Sequence, residues 1–86
     1  MLNYVPVVIQ MGAEEIRHYF YDEGKETLEH LTNDEIMVVM SQLYLDLECI
    51  HLADYNFYFG HERDTVAEML GYYSWEDLME HREHAR

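Results

Sequence analysis

The feature that most constrains the fold of this chain is an apolar seam between residues 33 and 59. Apolar side chains recur there at steps of four and three, interrupted only by Asp54: Ile36, Met40, Leu43, Leu47, Ile50 and Phe57. This spacing keeps them on one face of an α-helix. A second column repeats every seven residues on roughly the other side: Val38, Leu45, Leu52 and Phe59. We therefore predict a long central helix that ends at a Gly60 cap and is packed on two faces.

Residues 13–31 predict an earlier helix with one apolar and one acidic face. At 100° per residue, the apolar face holds Ala13, Ile16, Phe20, Thr27 and Leu31, and the opposite face holds Glu15, Asp22, Glu26 and Glu29. Gly24 lies inside this pattern and is the position where we expect a kink. Thr32 and Glu35 fit a capping box, which predicts that the central helix begins at Asn33.

The C-terminal residues predict two short helices joined by a turn. The first covers Asp64 to Leu70, Gly71 makes the turn, and the second runs from an N-cap at Ser74 to about His84. The rhythm of Val66-Ala67, Leu70-Gly71-Tyr72, Ser74 and Leu78 resembles the helix-turn-helix of AraC-type transcription factors. The second helix, however, carries Glu76, Asp77, Glu80 and Glu83 where a DNA reader uses Lys and Arg. We therefore expect a structural helix pair that does not bind nucleic acid directly.

The N-terminus differs from the rest of the chain. Residues 1–11 hold no charged side chain, and β-branched residues surround Pro6, so we predict an extended arm or edge strand. The whole pattern predicts a mostly α fold: one small domain over residues 1–86, with a long central helix, a C-terminal helix-turn-helix-like pair and a short N-terminal extended arm or strand. A chain of 86 residues buries only a modest core, so we expect a homodimer.

The charge balance limits the partners. Eighteen acidic residues against five basic ones give a formal charge of −13. Such a chain repels phosphates and anionic lipid and attracts basic protein surfaces. It has neither a basic leader nor an apolar run of ~20 residues, so we expect a cytoplasmic protein, in the host cytoplasm if it is viral, without membrane contact.

No catalytic motif or cofactor is predicted. The sequence has no Gly-rich phosphate loop and no GxSxG elbow. Cys49 is the only cysteine, so no intrachain disulfide can form. Glu15 with His18 and Glu48 with His51 have the Glu-x-x-His spacing of di-iron helical bundles. Abundant glutamates make such pairs common, and we retain a metal-binding helical protein only as a third hypothesis.

The leading hypothesis is a DNA mimic. On one helix, Glu15 to Glu29 would extend over ~21 Å, with steps comparable to the spacing of DNA phosphates. With the acids of the C-terminal helix, this row would occupy the DNA site of a basic nucleic-acid-binding protein: a nuclease, a restriction or CRISPR effector, or a transcription factor. The composition is similar to that of small inhibitors encoded by bacterial viruses. The alternative is an adaptor that binds through aromatic patches, with the acids serving solubility. The predicted aromatic anchors are Tyr21, Tyr55, Tyr72 and Tyr73.

Overall fold

Short helices joined by tight turns make up the described part of the chain. The computed structural model describes residues 10–49 and 51–84, and residues 1–9 of the predicted arm lie outside them. Within these ranges there is no strand, and six helices are present: α1 (Ala13–Tyr19), α2 (Asp22–Leu28), α3 (Asn33–Leu47), α4 (Leu52–His61), α5 (Arg63–Met69) and α6 (Trp75–His84). The prediction of a small, mostly α fold is therefore confirmed.

The single helix predicted for residues 13–31 is wrong, because two helices occupy this stretch. The backbone is extended at Phe20 and Tyr21, and α2 begins at Asp22, whose φ is +50°. The break lets the Phe20 ring enter the core, where it meets the ring of Phe59 edge-on at 5.3 Å. The Tyr21 N–H donates to the side-chain oxygen of Asn56 at 2.9 Å. Tertiary contacts thus place the break four residues before the predicted kink.

Gly24 instead serves the packing of α2 on α4. A Cβ atom added to Gly24 would lie 2.4 Å from Asn56 Oδ1, and one added to Gly60 would lie 2.8 Å from the backbone nitrogen of Gly24. The two helices therefore approach at backbone contact. Gly60 is inside α4, which continues to His61, so its predicted role as a cap is also wrong.

A long central helix is present as α3, but its predicted continuation to about Phe59 is wrong, because α3 ends at Leu47 and α4 begins at Leu52. Glu48 adopts a left-handed conformation with φ +53°, and the chain turns so that α3 and α4 are bent by 110°. The Tyr55 hydroxyl donates to the carbonyl of Cys49 across this bend. Among the described helices, none alone has the length and hydropathy to cross a membrane, and only the bent α3 and α4 pair meets those criteria together.

The two N-caps predicted from the sequence, Thr32 and Ser74, are both formed. The Thr32 hydroxyl accepts from the Glu35 N–H at 3.2 Å, and the Glu35 carboxylate accepts from the Thr32 N–H at 2.9 Å, so the capping box is confirmed. Ser74 caps α6 by accepting from the Asp77 N–H at 3.1 Å. The turn between α5 and α6 passes through Gly71 at φ +93°. The helix-turn-helix-like pair therefore forms as predicted.

Candidate partner-binding surface

Arg17, on α1, is hydrogen-bonded to the segment between α2 and α3. Its guanidinium donates to the carbonyls of Leu28 and Leu31 at 2.8 and 2.7 Å, and to the Asn33 side chain at 3.1 Å. The two carbonyls lie at and just beyond the end of α2, where a helix leaves acceptors without intrahelical partners. A cation there also complements the helix dipole. The charge of Arg17 is therefore used to join α1 to the α2–α3 turn.

Arg63 performs a similar task between α2 and the C-terminal pair. Its Nε donates to the Thr27 hydroxyl at 2.7 Å, and its Nη2 lies 3.3 Å from a Glu26 carboxylate oxygen. The guanidinium carbon lies 5.7 Å from the centre of the Trp75 ring, a distance at which a cation is attracted to the ring face. Arg63 thus holds α2 and the start of α6 together.

Arg82, in the last turn of α6, connects that helix to the start of α3. Its guanidinium donates to both carboxylate oxygens of Glu35. Partial burial raises the pKa of Glu35, but the hydrogen bond from Arg82, the hydrogen bonds of Thr32 and the nearby positive charge outweigh burial, so the pKa lies below the usual 4.5. The pKa of Arg82 is raised, mainly by the same hydrogen bond. Glu35 therefore remains ionised in both its capping and its pairing role.

These three arginines leave the exterior almost without positive charge. Among the described residues, only Glu26, Glu35 and Asp77 have a basic side chain within ion-pair distance. All of the other carboxylates are exposed. Of the described Lys and Arg residues, only Lys25 is exposed, and the three arginines are half-buried. Most negative charges of the described residues are therefore on the surface, and few of them are neutralised by a neighbouring basic side chain.

The acidic row predicted for the first helix is not formed as one row. Glu15 lies on α1, Asp22 and Glu26 lie on α2, and Glu29 is the C-cap of α2. All four are exposed, but the break at Phe20 removes the common helix axis on which the ~21 Å estimate depends. Glu26 is also partly neutralised by Arg63. The prediction of a continuous row is therefore wrong.

A regular acidic row is present on α6 instead. Glu76, Glu80 and Glu83 are exposed and follow one another at four and three residues along a single helix. Their steps along the axis are ~6 and ~4.5 Å, and they share one side of the helix. We call these three residues the C-terminal acidic face. The fourth predicted acid, Asp77, belongs to the cap of α6, because its carboxylate accepts from the Tyr73 N–H at 3.0 Å.

The four predicted aromatic anchors have different environments. Tyr73 is 92% exposed and Tyr21 is 48% exposed, so both rings are available to a partner. Tyr72 is half-buried and contacts the His81 ring at a centroid distance of 5.2 Å. Only part of the Tyr72 ring can therefore contribute to a binding surface.

Tyr55 is not an anchor, because its side chain is fully buried. Burial raises its pKa to about 12, with smaller contributions from the neighbouring Cys49, Tyr44 and Asp54. Its hydroxyl donates to the Cys49 carbonyl at 2.5 Å, so the polar tip is satisfied inside the protein. Tyr55 supports the bend between α3 and α4.

An apolar surface that the site prediction omitted lies on α3. Val38 and Leu45 are 50% and 71% exposed, on the side opposite the buried Ile36, Val39, Met40 and Leu43. We call Val38, Ser41 and Leu45 the outer face of α3. The seven-residue repeat of Val38 and Leu45 indicated a second apolar face. That repeat predicted packing on both sides, but the described part of the protein leaves these two side chains uncovered.

The metal hypothesis loses one of its two residue pairs. Glu48 is the C-cap of α3 and His51 is the N-cap of α4, so they do not share a helix face. Glu15 and His18 both lie on α1. Among the described residues, no group of three His, Cys, Asp or Glu side chains is arranged to hold a metal ion.

A shallow depression lies where α4 meets α5. It is lined by Gly60, His61, Glu62, Arg63, Asp64 and Trp75. The Asp64 carboxylate accepts from the Trp75 N–H at 2.9 Å, and Arg63 is held by α2. These polar groups of the lining are therefore used within the fold.

Comparison with known proteins identifies no relative of this chain. No protein-family model, curated protein or solved structure matches it. The charge and exposure of its own residues are therefore the basis for a functional proposal.

Proposed function

We propose that this protein binds a basic protein surface and acts as a DNA-mimic inhibitor of a nucleic-acid-binding protein. The targets that fit are a nuclease, a restriction or CRISPR effector, or a transcription factor, in the cytoplasm of the cell or of a viral host. The observation that supports this proposal is the separation of charge. Arg17, Arg63 and Arg82 bind within the fold, whereas most carboxylates remain exposed and unpaired.

The C-terminal acidic face supports the DNA-mimic form of the proposal. Its carboxylates are spaced by ~4.5 to 6 Å along the axis of α6, comparable to the interval between phosphates on a DNA strand. A basic groove would be attracted over about a Debye length, ~8 Å at physiological salt. Binding there would block nucleic acid by occupancy, with no catalytic residue required. The exposed Tyr73, just before α6, would add an aromatic contact at the edge of the groove.

The test compares two sets of charge-neutralising variants. The site variant is Glu76→Gln with Glu80→Gln and Glu83→Gln, and the control is Glu14→Gln with Glu62→Gln and Glu68→Gln. All six residues are exposed, so both sets remove the same charge without removing a buried group. The wild-type protein is tagged, used for capture from a bacterial lysate, and eluted with a salt gradient.

The proposal predicts a captured nucleic-acid-binding protein that is released by salt and competed by duplex DNA. The site variant should lose it, and the control should retain most of it. A partner that is indifferent to DNA, or equal loss in both sets, would reject mimicry by this face.

A second candidate function is an adaptor that binds through aromatic side chains. Tyr19 and Tyr73 are 56% and 92% exposed, which is consistent with such contacts. The two functions differ in their response to salt, because screening weakens an electrostatic complex much more than an apolar one. A complex that survives high salt and is lost on Tyr73→Ser would favour the adaptor.

A further inference from the structure

The outer face of α3 is an apolar strip on the solvent side of the longest described helix. Val38 and Leu45 lie seven residues apart, ~10 Å along the axis, with the small Ser41 between them. Their side chains share one helix face and are 50% and 71% exposed. Two apolar side chains one heptad apart, with a small residue between them, can pack against the apolar face of a second helix.

The charged side chains of α3 itself have a single sign. Helix α3 contains no Lys or Arg, and its acids are Asp34, Glu35 and Asp46, with Glu48 following at the C-cap. Glu35 is paired with Arg82, but the other three carboxylates are exposed and have no ion pair within the described chain. On the helical wheel, Asp34 lies in line with the strip at its start and Asp46 lies to one side, whereas Glu48 follows the last residue of α3 as its C-cap. The strip is therefore apolar along its centre and negative at its start and along one side.

The negative charge of α3 indicates which kind of partner can bind its outer face. A second copy in two-fold symmetry would pack α3 against itself and bring these carboxylates towards like charges. Nucleic acid and anionic lipid headgroups would be repelled by the same groups. A helix with two apolar residues one heptad apart and flanking Lys or Arg side chains would meet both requirements of the strip.

We propose that the outer face of α3 binds an amphipathic basic helix of the partner protein. Val38 and Leu45 contact the apolar stripe of that helix, and Asp34, Asp46 and Glu48 pair with its cations. This inference rests on the proposed function, since it requires a basic partner. It adds an apolar docking site and assigns a secondary structure to the bound segment. The C-terminal acidic face supplies attraction to a basic surface, and the outer face of α3 supplies selectivity for a helix.

The test uses a synthetic peptide as the probe. The peptide is an amphipathic helix with leucines one heptad apart and Lys or Arg on both flanks. A control peptide has the same composition, with the leucines distributed around the helix. The protein variants are Val38→Thr with Leu45→Gln, the single Leu45→Gln, and the control Phe57→Gln, which removes an exposed apolar side chain from α4. Binding is measured by titration calorimetry, and folding by circular dichroism.

We expect the amphipathic peptide to bind more tightly than its control. The double variant should weaken that binding roughly tenfold, ~1.4 kcal/mol, and the single variant by less. Phe57→Gln should leave it unchanged. Equal binding of the two peptides, or no effect of the double variant, would overturn the proposal.

Two further measurements separate this inference from the function on which it rests. If the C-terminal Glu→Gln set abolishes capture of the basic partner but the α3 variants do not, the DNA-mimic function stands and the α3 docking site is rejected. If sedimentation shows that the wild type is a dimer and Leu45→Gln makes it a monomer, a second copy occupies the strip. That result would also reject the basic helix as its occupant.

Discussion

The two helix contacts that hold α4 and α6 in place use opposite means. Helix α4 packs on α2 because Gly24 and Gly60 have no side chains, and the two backbones meet directly. Helix α6 is attached to α3 by an ion pair between two long side chains, Arg82 and Glu35. The first contact depends on shape and should respond little to pH or salt. The second depends on ionisation and should respond to both.

The largest effect is expected where the glycine contact is filled. Gly60→Ala would place a methyl group 2.8 Å from the Gly24 nitrogen and 3.1 Å from the Glu23 carbonyl carbon, both of them backbone atoms. A side-chain rotation cannot relieve a contact with backbone atoms, so we expect a cost at the upper end of the ~1–3 kcal/mol typical of overpacking. The helix propensity of Ala returns ~1 kcal/mol, so we expect a net loss of about 2 kcal/mol in the free energy of unfolding. Urea unfolding measures it.

The matched control is Gly12→Ala, because nothing lies within 4 Å of a Cβ at that position. It should change the stability by less than ~0.5 kcal/mol. Equal losses in the two variants would mean that the α2–α4 approach is not the cause.

This contact also shows why part of the fold could not be derived from the sequence. Local rules interpret a glycine in a helical pattern as a kink, and a glycine at its end as a cap. Gly24 and Gly60 are neither, because they are required by each other, 36 positions apart. By contrast, the capping box of Thr32 and Glu35 depends on residues three apart, and it was predicted correctly.

The next effect concerns the charged pair. Arg82→Gln leaves the Glu35 carboxylate partly buried without its cation, and we expect a loss of about 1.5 kcal/mol at neutral pH. Glu35→Gln removes the charge but can keep the capping interaction, so its cost should be smaller. A double-mutant cycle gives the coupling energy of the pair. Independent, additive effects would contradict a direct bond.

The pair should also make stability depend on pH. Because the pKa of Glu35 is lowered on folding, its contribution is present above the ordinary value of 4.5 and is lost as the pH falls through the folded-state pKa. The stability gap between the wild type and Glu35→Gln should therefore be full at neutral pH and close in acid. A gap that stays constant with pH would contradict the ionised pair. The α2–α4 contact offers the contrast, because the loss in Gly60→Ala should not depend on the charge state of Glu35.

A smaller effect is expected at the bend that brings α4 beside α2. Tyr55→Phe removes the hydrogen bond to the Cys49 carbonyl and should cost about 1 kcal/mol. Because burial raises the folded-state pKa of Tyr55 to about 12, its neutral form contributes stability that is lost as the pH rises from ~10 through 12. The Phe variant should lack that alkaline loss. Tyr73→Phe, at an exposed ring, should match the wild type in both respects.

The tyrosines show why the candidate site could be predicted only in part from the sequence. Tyr55 and Tyr73 have the same side chain and are both near acidic residues in the sequence, yet one is fully buried and the other is 92% exposed. The acidic row on the first helix failed because Phe20 turns into the core, an event decided by its long-range contact with Phe59. The row on α6 was predictable because α6 has its own cap at Ser74 and continues without a break. Periodicity locates a face correctly only where the helix is continuous.

The smallest effect on stability is expected at the C-terminal acidic face, and its sign differs from the others. Glu76 and Glu80 are like charges four residues apart, and Glu83 lies in the last turn of α6, where a negative charge opposes the helix dipole. Glu76, in contrast, lies in the first turn, where the dipole favours its charge, so the effects partly offset one another. Neutralising all three to Gln should therefore leave the free energy of unfolding unchanged or raise it by up to ~0.5 kcal/mol. Added salt should reduce that gain. A clear loss of stability would mean that these carboxylates support the fold, as Glu35 does. If the variant gains stability and loses its basic partner, the three carboxylates lower the stability of the folded protein and are needed for binding.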